Sequence, residues 1–265
     1  MRKAFVIVSV SDRIEQLNSL MLGIRKDRRF DDYDICLLYQ DYLNNEHLLR
    51  KDLLNKLIIH PKRLGGNCAR IMLLREIKYD IYCNLDDDMT LMPFTDYTRP
   101  IKKLLEDRTS GFILTNWART ESLYEQKVKL IADKFVKQCF IYQGGGMLYR
   151  DDVADLIRKL PLEETVFDEG WALTAYLNGY DNYRYLGSLA IHSICTKGGM
   201  AQWYKDIDYS KLSLLFDKYI NYRKAKDGVR YHIPIDSDLK TVAKAEHNMN
   251  RGLLLRKLQH KQVRL

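Results

Sequence analysis

An α/β fold with a mainly parallel central sheet flanked by helices is what this sequence predicts, and three observations predict it. The first half alternates short apolar runs with helix-like stretches, joined by short polar turns. One of those runs, Ile81-Tyr82-Cys83-Asn84-Leu85, has strand length and ends abruptly in Asp86-Asp87-Asp88. The C-terminal part is strongly basic and carries clustered leucines, which marks it as a partly helical extension. Strand–helix alternation with short turns implies parallel strands joined by right-handed crossovers.

Taken in order, Ala4 to Val10 reads as a first strand. Arg2 and Lys3 before it mimic a secretory leader, but no small-residue cleavage site follows, and Asp12 and Arg13 come too soon. Ser11 or Asp12 is placed to cap a helix over 14–26. Tyr33 to Tyr39 is the second strand, ending at Gln40-Asp41. A polar stretch from Glu46 to Asn55 reads as helix, Leu57 to Ile59 as a short strand, and Cys68 to Ile77 as a helix after the glycine turn Leu64-Gly65-Gly66-Asn67. Beyond the carboxylate strand come a helix at 97–105, a strand at 111–116 and a helix at 122–136. Phe140 to Tyr142 precedes Gly144-Gly145-Gly146 and the strand Met147 to Arg150. A helix at 152–160 stops at Pro161, another runs to Asn178 and stops at Gly179, and 185–194 is a last apolar run. The expected organisation is a domain over 1–208, with halves 1–92 and 93–208, and an extension over 209–265.

Composition bounds the function. Hydrophobic residues make up 46% and charged residues 29%, which excludes a disordered or fibrous chain. No apolar run approaches the ~20 residues of a membrane span. The five cysteines are scattered without a CxxC pair, so zinc-finger and disulfide-framework classes are excluded and a reduced, cytoplasmic setting is expected. From Arg223 to Leu265 there are eleven Lys or Arg against four acids, a net +7 out of +8 for the whole chain. The basic character therefore sits in the extension, where it suits a polyanion or an anionic surface, or simply a solvated helical face.

Three consecutive carboxylates repel one another unless a cation sits among them. Mg²⁺ or Mn²⁺ is the natural guest, being hard, oxygen-loving and able to keep positions for substrate phosphates. A solvated acidic turn is the alternative. In open α/β sheets, ligands bind at the edge where such a strand ends. Leu85-Asp86-Asp87-Asp88 resembles the Asp-x-Asp motif of glycosyltransferases with the GT-A fold, in particular the family-2-like group. The resemblance covers about Lys3 to Gly199. It implies a metal-dependent transferase with a nucleoside diphosphate sugar, UDP-linked, as donor. It implies Asp88 as principal metal ligand, with Asp86 sharing the metal or touching the ribose and Asp87 in the donor site. Ser9, Ser11, Arg13 and Asp41 match the places that touch the nucleotide, Ser11-Asp12-Arg13 being a loose version of Thr-x-Asn-Arg. Arg70 matches a position near the diphosphate; a surface helix charge is the other reading.

In the second half the resemblance makes Gly145 and Gly146 the floor of the donor-sugar site, with a plain bulge or turn as alternative. The family's Glu-Asp pair opens a helix eleven residues before a glycine, which from Gly179 is Asp168, with Glu169 beside it as rival. This chain reads Asp-Glu rather than Glu-Asp. Either acid serves as the general base that takes the acceptor's proton in an inverting transfer; the bland reading is two acids favoured by a helix N-terminus. His192 is the candidate third metal ligand, against a core histidine bonded to backbone. Lys197 in Lys197-Gly198-Gly199 offsets leaving-group charge.

The basic extension and the absence of a membrane segment resemble bacteriophage enzymes that add a sugar to 5-hydroxymethylcytosine in DNA. That implies double-stranded DNA as partner, met by Arg251, Arg256, Lys257, Lys261 and Arg264, and a host-cytoplasmic location. A lipopolysaccharide or capsule transferase at an anionic membrane and a basic nucleic-acid-binding module are the competing readings.

Overall fold

The computed structural model describes residues 1–119, 133–137, 146–160, 162 and 168–192. Most of the expected helix at 122–136, the strand at 140–142, Gly144 and Gly145, Lys197 and the whole basic extension lie outside the described residues.

Among the described residues nine strands form one sheet: β1 Lys3–Val10, β2 Tyr33–Gln40, β3 Lys56–His60, β4 Ile81–Asp86, β5 Met89–Leu91, β6 Ser110–Arg119, β7 Phe135–Lys137, β8 Met147–Arg150 and β9 Asp181–His192. Their order across the sheet is β3-β2-β1-β4-β8-β6-β9-β5, with β7 also paired to β9. β1, β2, β3 and β4 are parallel. β8 is antiparallel to β4 and β6, which restores β6 and β9 to the common direction. The short β5 and β7 run against β9. The expected mainly parallel sheet is therefore present, with β8 reversed in its middle.

Among the described residues five α-helices flank it: α1 Ile14–Lys26, α2 Gly66–Arg75, α3 Thr98–Glu106, α4 Asp151–Arg158 and α5 Asp168–Leu177. The pleat decides which side chain meets which helix. Phe5, Ile7, Ile35, Leu37, Ile81, Cys83 and Leu85 face Leu17, Met21 and Ile24 of α1 and Leu104 of α3. Ala4, Val6, Cys36, Leu38 and Tyr82 face Leu73 of α2, Val153 and Ile157 of α4, and Trp171 and Ala175 of α5. The strands that carry the core are apolar on both faces, as a sheet covered on both sides requires. Each fully buried Leu, Ile or Phe contributes about 1.5–3 kcal/mol.

Two expectations are corrected. Residues 46–55 are not a helix but two single 3-10 turns, Glu46–Leu48 and Lys51–Leu53. Side chains capture the backbone there: Asp41 accepts from the N–H groups of Asn45 and Glu46, and Asn18 accepts from Arg50 N–H and donates to the Leu48 carbonyl. Such bonds compete with the helical ladder. Phe135 and Val136, expected as the end of a helix over 122–136, instead belong to strand β7, and Phe135 stacks on Tyr185 across the β7–β9 pair with centroids 4.7 Å apart. The three-residue β5 is too short to leave a periodic signal and has no counterpart among the expected elements.

The far margin of the sheet is a composite. β9 carries a bulge between Tyr185 and Leu189 where it pairs with β6. On its outer side β7 covers Tyr183–Tyr185 and β5 covers Ala190–His192. The 92–96 loop fills the interval: Thr95 Oγ1 donates to the Leu189 carbonyl at 2.7 Å, and Asp96 N–H donates to Ser188 Oγ at 2.8 Å. Arg29 locks that loop by donating to the carbonyls of Met92, Pro93 and Thr95.

Candidate functional site

The site forms where β1, β2 and β4 end together. Val8 of β1 is in register with Asp86 of β4, so Ser9 and Asp87 stand one rung further on, at the sheet's open edge. Alternation along β4 then separates the three carboxylates. Asp86 continues the Tyr82–Asn84 face towards α2 and pairs with the Arg70 guanidinium. Asp87 turns to the α1 side, where Oδ2 accepts from Ser9 Oγ at 2.6 Å and Oδ1 from Arg13 Nη1 at 2.8 Å. The same Arg13 nitrogen reaches Asp88 Oδ2 at 3.3 Å. The repulsion among the three acids is thus offset by two guanidinium groups, one from each face of the sheet. Arg70 is 7% exposed, so it is no surface helix charge.

Burial grades the three acids. The side chain of Asp86 is 26% exposed, and those of Asp87 and Asp88 are 5% exposed. Burial pushes the Asp87 carboxyl above the usual carboxylate range, while Arg13 and the Ser9 hydroxyl pull it back. Ser11 and Asp41 sit beside this cluster at the ends of β1 and β2. Ser11 Oγ donates to the Gln40 carbonyl at 2.9 Å and to Asp41 at 3.3 Å. The Asp41 carboxylate also takes the N–H groups of Asn45 and Glu46, so its described bonds hold the 42–46 loop.

Gly146 precedes β8, next to β4. Its N–H donates to the Asn84 carbonyl at 2.6 Å, and its own carbonyl accepts from Thr115 N–H at 3.0 Å. Its φ is +69°, and a Cβ there would lie 2.5 Å from Thr115 Oγ1. A side chain is excluded on both counts, whatever the glycine faces. α5 begins at Asp168, as the sequence suggests, and is followed by β9. Asn182 ties the two elements, donating to the Ala172 carbonyl and accepting from Phe112 N–H. His192 ends β9 in register with Met89, the residue after Asp88.

Among the described residues, no three His, Cys, Asp or Glu side chains form a metal-holding cluster. The donor set nonetheless suits Mg²⁺ or Mn²⁺. Such ions need only one or two carboxylates when substrate phosphates complete the shell, and Asp86 and Asp88 provide two hard oxygen donors at an open edge. Two partners of the site escape sequence reasoning. Gln40 is 1% exposed, and its Oε1 takes Leu64 N–H at 2.5 Å, which holds the glycine turn before α2. Arg29 fixes the loop after β5, yet Asp27-Arg28-Arg29 reads as ordinary surface charge.

Solved structures with a matching fold are glycosyltransferases of the GT-A type, and that is the fold of this chain. S. aureus TarS matches with a TM-score of 0.52 at 11% identity over 85% of this chain and 44% of TarS, so this chain spans less than half of that protein. Residues 1–349 of TarS in complex with UDP-GlcNAc match with a TM-score of 0.53 at 11% identity, covering 85% of this chain and 73% of that one. The mannosyltransferase PcManGT from Pyrobaculum calidifontis, in complex with GDP-Man and Mn²⁺, matches with a TM-score of 0.51 at 14% identity, covering 98% and 73%. No protein-family model and no curated protein sequence matches the chain.

Proposed function

We propose that this chain is a metal-dependent glycosyltransferase that moves a sugar from a nucleoside diphosphate sugar, UDP-linked, to an acceptor hydroxyl. The observation that carries the reading is the carboxylate turn at the C-terminal edge of a GT-A sheet, faced by Arg13 on one side and Arg70 on the other. Glycosyltransferases of this fold in complex with UDP-GlcNAc, and with GDP-Man and Mn²⁺, support it.

Asp88 and Asp86, with His192, are the residues that would hold the metal. When bound, it supplies positive charge opposite the diphosphate that leaves. Arg13 and Arg70 have the donor geometry to bind that diphosphate, since a guanidinium presents paired N–H groups to phosphate oxygens. Ser9, Ser11 and Asp41 frame the nucleotide end, Gly145 and Gly146 the sugar, and Lys197 adds charge to the leaving side. The acceptor oxygen forms a bond to the sugar's C1 as the C1–O bond to phosphate breaks. Asp168 or Glu169 takes the acceptor's proton.

For the acceptor, the reading is 5-hydroxymethylcytosine in double-stranded DNA, and the charge of the extension supports it. The test is a panel of nucleotide sugars, with and without Mn²⁺, scored for hydrolysis and then for transfer to hydroxymethylated DNA. Mn²⁺-dependent hydrolysis of one donor, lost in Asp88→Ala, is expected. Hydrolysis of none, or an Asp88→Ala variant as active as the parent, rejects the transferase reading. Hydrolysis without transfer to DNA rejects the acceptor alone.

A further inference from the structure

We propose that Arg29 is a positioning residue for the carboxylate turn: it grips the chain just beyond β5 while Arg13 grips the turn just before β5, so that α1, which lies between the two arginines in sequence, sets where Asp87 and Asp88 stand. The consequence for a divalent metal rests on the metal reading above.

Two arginines bracket one helix, and the same two bracket one strand. Arg13 directly precedes α1, and Arg29 lies in the 3-10 turn Arg28–Phe30 that follows it. Asp87 and Asp88 directly precede β5, and Met92 directly follows it. Arg13 donates to both carboxylates. Arg29 donates from Nη1 to the carbonyls of Pro93 and Thr95, at 2.7 and 2.6 Å, and from Nη2 to that of Met92 at 2.9 Å. Its Nε and the second N–H of Nη2 go to the Asp27 carboxylate. A guanidinium has five N–H groups, and all five are used here. Asp27 fixes the fork in turn, since it also accepts the backbone N–H of Arg29 at 3.1 Å. The strand between the two grips has only three residues, so its own ladder with β9 is short. Met89 of β5 belongs to the same apolar cluster as Leu17, Met21 and Ile24 of α1. Apolar contact is non-directional and lets a short strand slide along a helix. The two arginines add the directional bonds that stop it. Arg29 thus acts on the carboxylates through β5 and the loop after it.

Amide hydrogen exchange of the full chain, read by mass spectrometry on peptides covering 87–96, tests the grip. Arg29→Met keeps an apolar stem and removes all five donors. Exchange over 87–91 is expected to quicken at least about tenfold, the scale of one lost hydrogen bond to a charged group, with β1 and β2 unchanged. Arg29→Lys keeps the charge but cannot reproduce the fork, and is expected to behave as Arg29→Met does. Ile157→Val trims the core on the other face of the sheet and is expected to leave 87–91 as in the parent, so it separates positioning from a general loss of stability. A second arm titrates Mn²⁺ alone and follows free Mn²⁺ by electron paramagnetic resonance. Arg29→Met is expected to weaken binding by about tenfold, the low end of what losing an outer partner of a metal site costs, and Ile157→Val to bind as the parent does. Parental exchange over 87–91 in Arg29→Met, an Arg29→Lys indistinguishable from the parent, or equal quickening in Ile157→Val overturns the positioning role. Quickened exchange with parental Mn²⁺ affinity overturns its consequence for the metal. A parent chain that titrates no Mn²⁺ site overturns the metal reading, and the exchange arm then decides the grip without it.

Discussion

At the scale of single residues, neighbours of the same type have unlike roles, and backbone direction makes the difference. Asp86, Asp87 and Asp88 are identical in sequence, yet they meet Arg70, Ser9 with Arg13, and Arg13 respectively. Gly146 is a second case. Its positive φ and the 2.5 Å approach of Thr115 leave no room for a methyl group. Gly146→Ala should cost about 1–3 kcal/mol in urea unfolding, with Thr115 displaced; unchanged stability would contradict the crowding. Asp27 gives a pH-dependent case. Its hydrogen bonds with Arg29 hold the carboxyl below the usual range. Because the folded value lies below the unfolded one, about 3.9, the contribution is complete above about pH 4 and is lost as acid protonates the folded carboxyl. Unfolding of Asp27→Asn should therefore differ from the parent at pH 7, and the difference should shrink between pH 4 and pH 2. A difference that grows in acid would refute the pairing.

Elements were legible where periodicity was strong. β1, β2 and β4 announce themselves as apolar runs of strand length closed by polar residues, and α1 by its apolar spacing. The stretch 46–55 misled because helix-compatible residues follow Asp41 and face Asn18, which lies 30 residues before Leu48 and takes backbone bonds there alongside Asp41. No local pattern encodes that competition. β5 and β7 are strands only because β9 offers them an edge. In the site, the carboxylate turn was readable from composition alone, whereas its two-sided arginine arrangement needed the pleat and the register of β1 with β4. The start of α5 was readable too, from its acids and from Gly179, whose φ is +88°. The prediction at this scale concerns that start. Asp168→Asn keeps size and removes basicity, so transfer should fall by about 10²–10⁴ while donor binding persists. Steady-state transfer and UDP titration check it. A silent Asp168→Asn beside a crippled Glu169→Gln would move the role by one residue, and two silent variants would point to a retaining mechanism.

For the whole molecule, charge is unevenly divided, with nearly all of the net +8 contributed by Arg223 to Leu265. If Arg251, Arg256, Lys257, Lys261 and Arg264 meet DNA phosphates, each lost contact weakens binding alike for all sequences and flattens its salt dependence. Neutralising Arg256, Lys257 and Lys261 together should raise KM for DNA and leave nucleotide-sugar hydrolysis unchanged. Untouched DNA transfer, or a parent chain that binds anionic vesicles and not duplex DNA at moderate salt, would turn the assignment to an envelope glycan.

The composite margin of the sheet also bears on the order in which the protein is made. β5 leaves the ribosome directly after the carboxylate turn, but its partner β9 is synthesised about a hundred residues later. Until then the downstream side of Asp87 and Asp88 is held by Arg29's bonds to the 92–96 loop and by packing on α1, and the β5 backbone lacks its β9 ladder. Contacts of such sequence separation close late and slowly. A nascent chain halted before Asp181 should therefore bury the β1–β4 core with a less ordered carboxylate turn, and a chain released past His192 should order that turn fully.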